Sequence, residues 1–283
     1  MSVVAPAQAV AGRDVQPAPG PRPKRRTRLK PKAQRTLRGV AGVVIAIAVW
    51  AVVTGAELID TSVFPTIPAF VQALADSWPD LLRSLGVTLQ SWALGVSVAT
   101  VLGVGLGVLV GRSFWADAFS DVVVRALRPL PSLALIPIAI LIAGLGVTMT
   151  ASLVAIASFW PIFINTRYAA RQVEPRLLDS GRAVGLSGWS LLYRVIAPAM
   201  APAVITGIRV AVGMAIVVTV SVQLVAGTGG LGGYVVMSQV NGLNDQVFVG
   251  AAAGGVLGLL LNNGFIAITR RLLPWSATTR GGA

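Results

Sequence analysis

The sequence predicts an all-α membrane protein whose chain crosses the bilayer six times. Apolar residues make up 55% of the 283 positions and charged residues only 12%, and the mean hydropathy is +0.78. This composition is typical of polytopic membrane proteins and not of soluble domains. Uncharged runs long enough to span the hydrocarbon recur along the chain. Arginine concentrates in alternate segments between those runs, as the positive-inside bias requires.

The first 38 residues are rich in proline, alanine and basic side chains, which predicts a disordered tail in the cytoplasm. Such a tail could bind anionic lipid or nucleic acid. A topology signal is the simpler interpretation, because the positive-inside bias alone accounts for it. The run Gly39–Ala56 is predicted to be the first span, since a signal peptide has a shorter apolar core and a shorter basic region.

Residues 57–80 hold four carboxylates and no basic side chain, so they are predicted to lie outside the cell. The uncharged run Ser84–Gly111 is the second predicted span. Within it Gly103, Gly107 and Gly111 recur every four residues, which predicts a face for close contact with another helix. A phosphate-binding glycine loop would instead follow a strand and open a soluble helix.

Residues 112–128, with three arginines, Asp117 and Asp121, are predicted to lie in the cytoplasm. The run Pro129–Thr166 is longer than one tilted helix requires, and the glycines of Gly144-Leu145-Gly146 predict a turn between a third and a fourth span. A single span here would place the following arginine-rich insert outside, against the charge bias. Three prolines should kink the third span.

The polar insert between the fourth and fifth spans predicts two short helices joined by a bend. Pro175 suits the first turn of a helix. Gly185 can end that helix with a left-handed backbone, and Ser187 can cap a second one. Pro198 and Pro202 are predicted to end the second helix. One apolar face of the first helix is formed by Leu177, Leu178, Gly181 and Val184.

Val204–Ala226 and Phe248–Thr269 are the fifth and sixth predicted spans. Residues 227–246, which contain T-G-G-L-G-G-Y, are predicted to form an external glycine-rich turn. Basic residues follow the last span, and 273–283 is a short cytoplasmic tail. If the chain has six spans and both termini lie in the cytoplasm, Arg83 is the only lysine or arginine on the outer side. No basic cluster then requires nucleic acid as a partner.

The insert resembles the EAA loop of ABC-importer permeases, whose pattern is E-A-A, three residues, glycine, nine residues and I-x-L-P. Asp179-Ser180-Gly181 takes the place of E-A-A. Gly185 falls on the glycine, and Val195-Ile196-Ala197-Pro198 falls on I-x-L-P. The variant G-L-S-G-W resembles the branch of the family that imports sulfonates, taurine, nitrate and related small molecules.

The resemblance implies the type I ABC-importer permease architecture for residues 39–272, with a coupling loop at about 171–203. It implies a multi-pass protein of the cell (inner) membrane. It also implies three protein partners: an ATPase subunit that binds the ATP, an extracytoplasmic substrate-binding protein, and a second permease copy, expected to be this same chain. The residues expected to couple to the ATPase are Asp179, Gly185, Trp189 and Pro198. An amphipathic helix lying on lipid, anchored by Trp189, is the alternative.

The chain lacks the groups on which most enzymes depend. It contains no cysteine, no histidine and no G-x-x-x-x-G-K-[ST] motif, so no enzyme activity, metal site or bound cofactor is expected. Arg209 is the one ionisable side chain other than tyrosine inside the predicted spans, near the inner end of the fifth, where it can snorkel. A self-sufficient secondary carrier and a membrane scaffold without transport are the two alternatives to an importer.

Gln90, Asn165 and Gln223 are candidates for the translocation pathway, as polar residues placed within the spans or near their ends. Asn262 and Asn263, in the sixth predicted span, are further polar residues that could line this pathway. Hydrogen bonding between helices is the competing and more common use of such residues. Permeases of the resembling branch often carry glutamate where Gln223 stands, so the exact solute is left open.

Overall fold

The structure is a computed structural model that describes residues 31–56, 59–60 and 63–272. Every regular element within these ranges is helical. The eleven α-helices are α1 (Pro31–Gly55), α2 (Ile67–Asp76), α3 (Trp78–Gly111), α4 (Phe114–Leu127), α5 (Ile136–Ala143), α6 (Val147–Arg171), α7 (Pro175–Ala183), α8 (Gly188–Leu191), α9 (Ala197–Ala226), α10 (Leu231–Val240) and α11 (Asn244–Leu272).

The chain divides into two compact units at residues 49 and 50. The first unit contributes α1 as far as Val49, and this helix begins at Pro31, inside the predicted tail. The second unit contains the end of α1 and all other elements. The rest of the basic tail and the tail 273–283 lie outside the described residues.

Four helices in the described part are long and apolar enough to cross a bilayer, and α4 with α5 make a fifth if their bent pair is one span. Six spans require, in addition, the shorter apolar part of α1, Gly39–Gly55. The predicted all-α polytopic fold is therefore confirmed, and a bent pair of helices stands where a kinked third span was predicted.

The third span, which was predicted to be kinked by its prolines, is broken in the structure. A 3₁₀ turn, Ser132–Leu135, leads into the eight-residue α5, and the bend relative to α4 is 79°. Proline lacks the N–H that would continue the helix, and the two prolines after α4 therefore break it. The predicted turn at residues 144–146 is confirmed, because α5 ends at Ala143 and α6 begins at Val147.

Helices α3, α6 and α9 form the centre of the second unit. The glycine face of α3 lies against α6, as predicted. A Cβ added at Gly107 would come within 2.7 Å of Thr166 Cβ, and added atoms at Gly103 and Gly111 would meet α6 equally closely. Close approach of the two helices thus depends on the absence of side chains at these positions.

Replacing Gly107 with leucine is expected to separate α3 from α6 and to cost about 1–3 kcal/mol or more of stability, as overpacking does. Leucine at Gly105 is the matched control, because nothing lies within 4 Å of a Cβ added there. Thermal unfolding of the purified chain in detergent should show a lowered Tm for the first variant only. Equal losses in both variants would contradict this packing.

The ends of the second unit differ in charge. The end where α3 and α6 finish and α9 starts carries most of the described arginines and is called the basic end. These arginines are Arg112, Arg125, Arg128, Arg167, Arg171, Arg176, Arg182, Arg194, Arg270 and Arg271. The opposite end, called the acidic end, holds Asp76, Asp80 and Asp245, with Arg83 as a basic residue near it.

The segment predicted to be an external glycine-rich turn contains α10. This helix packs between the ends of α9 and α11, and Leu231 is fully buried in a cluster with Ala73, Leu81 and Val249. The prediction failed because only four residues, 227–230, form the glycine-rich turn before α10 begins at Leu231.

Candidate functional site

The first helix of the polar insert ends in a left-handed turn at Gly185, as predicted. Helix α7 begins at Pro175, and the φ angle of Gly185 is +82°. The Gly185 N–H donates to Arg182 O at 2.9 Å, and the Leu186 N–H donates to Gly181 O at 3.0 Å. These two bonds are the pattern of a Schellman motif, which reverses the chain and satisfies carbonyls at the helix end.

The second helix of the insert does not end at Pro198 or Pro202, so that prediction was wrong. A reciprocal cap at Ser187, whose N–H donates to Ser190 Oγ at 3.0 Å, starts α8. A π-helical turn, Leu192–Ile196, then joins α8 directly to α9. Pro198 follows the π turn directly, in the first turn of α9, and Pro202 lies within that helix.

The inner side of the insert packs tightly on the bundle. A Cβ added at Gly181 would lie 2.6 Å from Leu191 Cδ1, which shows how closely α7 approaches α8. Leu178 and Leu186 pack against a buried cluster that includes Leu191, whose other members are Ala170, Ile196 and Met200. The α7–α8 pair is therefore held in one orientation on the end of α6.

The outer side of the insert carries large apolar side chains in contact with solvent. Trp189 is 78% exposed and Val184 75% exposed, and Tyr193 is similarly exposed. Of the four residues predicted to form one apolar face of α7, Leu178 and Gly181 face inward, whereas Leu177 and Val184 are exposed. The insert thus presents an apolar surface that nothing in the described chain covers.

A groove of ≈ 780 Å³ lies beside this surface. Gly185 and Trp189 line it together, with Arg112 from the end of α3 and Arg182 from α7. Asp179 does not line this groove: its carboxylate is exposed and accepts a hydrogen bond from Arg182 Nη1 at 3.2 Å. Pro198 is exposed on α9 and also lies outside the groove lining. Of the four predicted coupling residues, the structure brings Gly185 and Trp189 together.

A buried ion-pair cluster at the base of the insert was missed by the sequence analysis. Arg167, 2% exposed, donates from Nε to Asp117 Oδ1 at 2.6 Å and from Nη2 to Asp121 Oδ1 at 2.5 Å. Arg171 Nη1 donates to Asp117 Oδ2 at 2.8 Å. The cluster joins α4 to the last turns of α6, immediately before the insert begins.

Sequence signals for this cluster did exist. The two aspartates are four residues apart and so are the two arginines, which places each pair on one face of its helix. The fourth span was predicted to end at Thr166, so Arg167 was counted as lying outside the apolar core. The helix instead continues to Arg171 and carries Arg167 into the bundle.

The candidate pathway residues do not form one site. Gln223 is fully buried, and its Oε1 accepts from Thr88 Oγ1 at 2.9 Å, while Thr88 Oγ1 accepts from the Leu231 N–H at 2.8 Å. Asn165 Nδ2 donates to Pro161 O at 2.8 Å within α6, and Gln90 is exposed on α3. Within the described residues, Gln223 thus connects α3, α9 and the start of α10.

No cluster of three or more Asp or Glu side chains in the described ranges is arranged to hold a metal ion. The insert presents an apolar and aromatic surface, a rigid bend, and arginines around a groove.

Comparisons with known proteins agree with this geometry. Residues 99–276 match the family described as "Binding-protein-dependent transport system inner membrane component". Three curated relatives are similar over most of the chain. SsuC of Bacillus subtilis, a permease protein named for aliphatic sulfonates transport, is 28% identical and is aligned over 90% of this chain and 94% of its own length.

The nitrate import permease protein NrtB of Synechocystis is 28% identical over 84% of this chain and 90% of its own length. The taurine transport system permease protein TauC of Escherichia coli is 30% identical over 69% of this chain and 71% of its own. A chain of the methionine ABC transporter MetNI, solved in inward-facing conformations, has the same fold, with a TM-score of 0.58 and 18% identity. The match covers 69% of this chain and 97% of that one.

Proposed function

We propose that this chain translocates a small oxyanionic solute with energy from ATP that is hydrolysed on a partner chain. The chain belongs to the family of binding-protein-dependent transport system inner membrane components, and within it to the ABC-importer permeases of the sulfonate, taurine and nitrate branch. Members of this family are transport permease subunits and not enzymes. The permease is a multi-pass membrane protein with several apolar helices. The solute class follows the relatives' names, which include sulfonates, taurine and nitrate.

The observation that carries the proposal is the apolar surface of the insert, with Trp189 exposed beside a rigid turn at Gly185. Exposed apolar patches of this kind mark interfaces with protein or membrane. We propose that an ATPase subunit docks here and that Trp189 enters an apolar cleft on it. Asp179 lies on the outer side of α7, where its carboxylate could meet a basic group of the partner. Pro198 starts the helix through which movement of the insert reaches the bundle.

The charge distribution supports an orientation in which the basic end faces the cytoplasm. Arginines accumulate on the cytoplasmic side of membrane proteins, and the basic end carries the insert. The ATPase is then reached from the side on which ATP is present. The acidic end, where α2 and α10 meet α11, is the proposed surface for a substrate-binding protein, and a second copy of this chain completes the proposed assembly.

We propose that the docked ATPase moves the insert as one body and thereby shifts the bundle between inward and outward access. The packing of α7 against α8 and of α8 against Ala170 supports this, because a rigid insert transmits displacement to α6. The continuous path from α8 through the π turn into α9 supports a second route. Such a change is a population shift between two packings, biased by ATP and by the binding protein.

Reconstitution tests this function. The chain is placed in vesicles with its ATPase and binding-protein partners, and uptake of radiolabelled taurine and nitrate is measured. We expect uptake only with ATP on the side of the basic end, and inhibition by vanadate.

Two results would contradict the importer. Uptake by the chain alone, driven by an ion gradient, would identify a secondary carrier. Capture of the ATPase without uptake of any oxyanion offered would identify a scaffold.

A further inference from the structure

One face of α9 points away from the bundle. Its residues recur at intervals of three and four, and the apolar members Val210, Met214 and Val217 are 46%, 46% and 65% exposed. Nothing lies within 4 Å of a Cβ added at Gly213. This face lines an open groove of ≈ 580 Å³, which Asn262 of α11 closes on one side.

Arg209 is the charged residue of this groove. It is exposed and lies about three helical turns after Ala197, or roughly 18 Å along the axis. Among the residues that the structure describes, no carboxylate comes within ion-pairing distance of its guanidinium. This contrasts with Arg167 on α6, which is buried and binds two aspartates.

An arginine on an apolar span needs compensation, because a charge facing hydrocarbon is costly. Such residues face the bundle interior or a water-filled cavity or pair with another group, and substrate pathways are one of the functions that they mark. Snorkelling to the interface is less favourable here than predicted from the sequence, since α9 starts before Val204 and Arg209 lies nearer its middle.

The neighbours of Arg209 are suited to an anion. The Asn262 amide carries two N–H donors and no negative charge. Thr206 Oγ1 already donates to Pro202 O at 2.8 Å, so it brings no further donor. A planar guanidinium with five N–H donors matches the oxygens of a sulfonate or nitrate, in bidentate geometry where two oxygens are available. The apolar residues along the same face would contact the organic part of a larger solute.

We propose that Arg209 is the anion-binding residue of the translocation pathway, with Asn262 as its hydrogen-bonding neighbour. This inference rests on the proposed function, because the ligand is the oxyanion group of the transported solute. A phospholipid headgroup has the same oxyanion chemistry and is the competing source of the anion.

The test compares Arg209→Gln, Arg209→Lys and the control Arg270→Gln in the full assembly. The control removes an exposed arginine in the last turn of α11 that lines neither the groove beside the insert nor the groove on α9. Uptake of taurine and nitrate and ATP hydrolysis are both measured, in phosphatidylcholine vesicles with and without phosphatidylglycerol.

We expect Arg209→Gln to lower uptake about tenfold or more, the size of effect of losing one charged hydrogen bond. Arg209→Lys should retain part of the uptake, and Arg270→Gln should leave it unchanged. ATP hydrolysis should persist in all variants, which separates loss of substrate binding from loss of assembly.

Three outcomes overturn the inference: normal uptake by Arg209→Gln, loss of ATP hydrolysis together with uptake, or a defect confined to vesicles with phosphatidylglycerol, which would assign the anion to lipid. Absence of uptake by the unaltered assembly would instead be a failure of the proposed function.

Discussion

Replacing Gly185 with valine is expected to reduce solute uptake about tenfold or more while the chain still inserts in the membrane. The φ angle of +82° is strained for a β-branched residue, at a cost of about 1–2 kcal/mol. Release of that strain would break the bond from the Leu186 N–H to Gly181 O and turn α8 away from α7. Trp189, the proposed docking residue, would move with it.

Gly185→Asn is the matched control, because asparagine adopts left-handed backbone more readily than valine. Steric overlap does not contribute to the effect of either substitution at the Cβ position, because nothing lies within 4 Å of a Cβ added at Gly185. Uptake and retention of the ATPase during purification are the two measurements. Valine with near-normal uptake, or asparagine as damaging as valine, would show that the left-handed turn does not govern coupling.

Replacing Arg167 with methionine is expected to destabilise the chain by about 3–5 kcal/mol, the usual result of breaking a buried ion pair by removing one partner. Asp117, 7% exposed, would retain only Arg171 as its partner, and Asp121 would lose its bond to Arg167. The Tm in detergent measures the effect. Methionine preserves most of the volume, so the loss of charge dominates.

Arg83→Met is the control for this prediction, because the Arg83–Asp80 pair is exposed and separated by 3.5 Å. Exposed pairs contribute about 0–1 kcal/mol, so its Tm should hardly change. Adding Asp117→Asn and Asp121→Asn to Arg167→Met should restore part of the loss, since the unpaired carboxylates are then neutral. A similar Tm for Arg167→Met and Arg83→Met would refute the structural importance of the cluster.

The cluster also has a functional meaning under the proposed mechanism. It ties α4 to α6 one turn before the insert, while Ala170 of the same helix end packs beneath α8. Displacement of the insert by an ATPase would therefore be passed to α4 as well as to α6. The ion pairs would keep these helices moving together, because each guanidinium bond has a defined direction.

Local sequence rules were sufficient for several elements. The start of α7 at Pro175, the bend at Gly185 and the cap at Ser187 depend on backbone constraints within a few residues, so residue type predicts them. The turn at residues 144–146 and the glycine face of α3 followed from glycine spacing in the same way. The overall class followed from composition and from the length of the apolar runs.

Other features depended on contacts between segments distant in the chain. Pro198 and Pro202 look like helix ends locally, yet the π turn and the packing of Ile196 and Met200 keep the helix continuous. The burial of Arg167 required two aspartates, 50 and 46 residues earlier in the chain, to lie beside it. Helix α10 packs against both α9 and α11, and these contacts cannot be seen in its local sequence.

The sequence by itself determined the class of the protein and the bend in the insert, because these rest on hydropathy and on the φ preferences of glycine and proline. The resemblance of the insert to a coupling loop rests instead on its motif. Only the tertiary structure decided which polar residues are buried in helix contacts, as Gln223 is, and which face a groove, as Arg209 does. A helical periodicity predicts which residues share one face of a helix. Whether that face packs against other helices depends on the arrangement of the neighbouring helices.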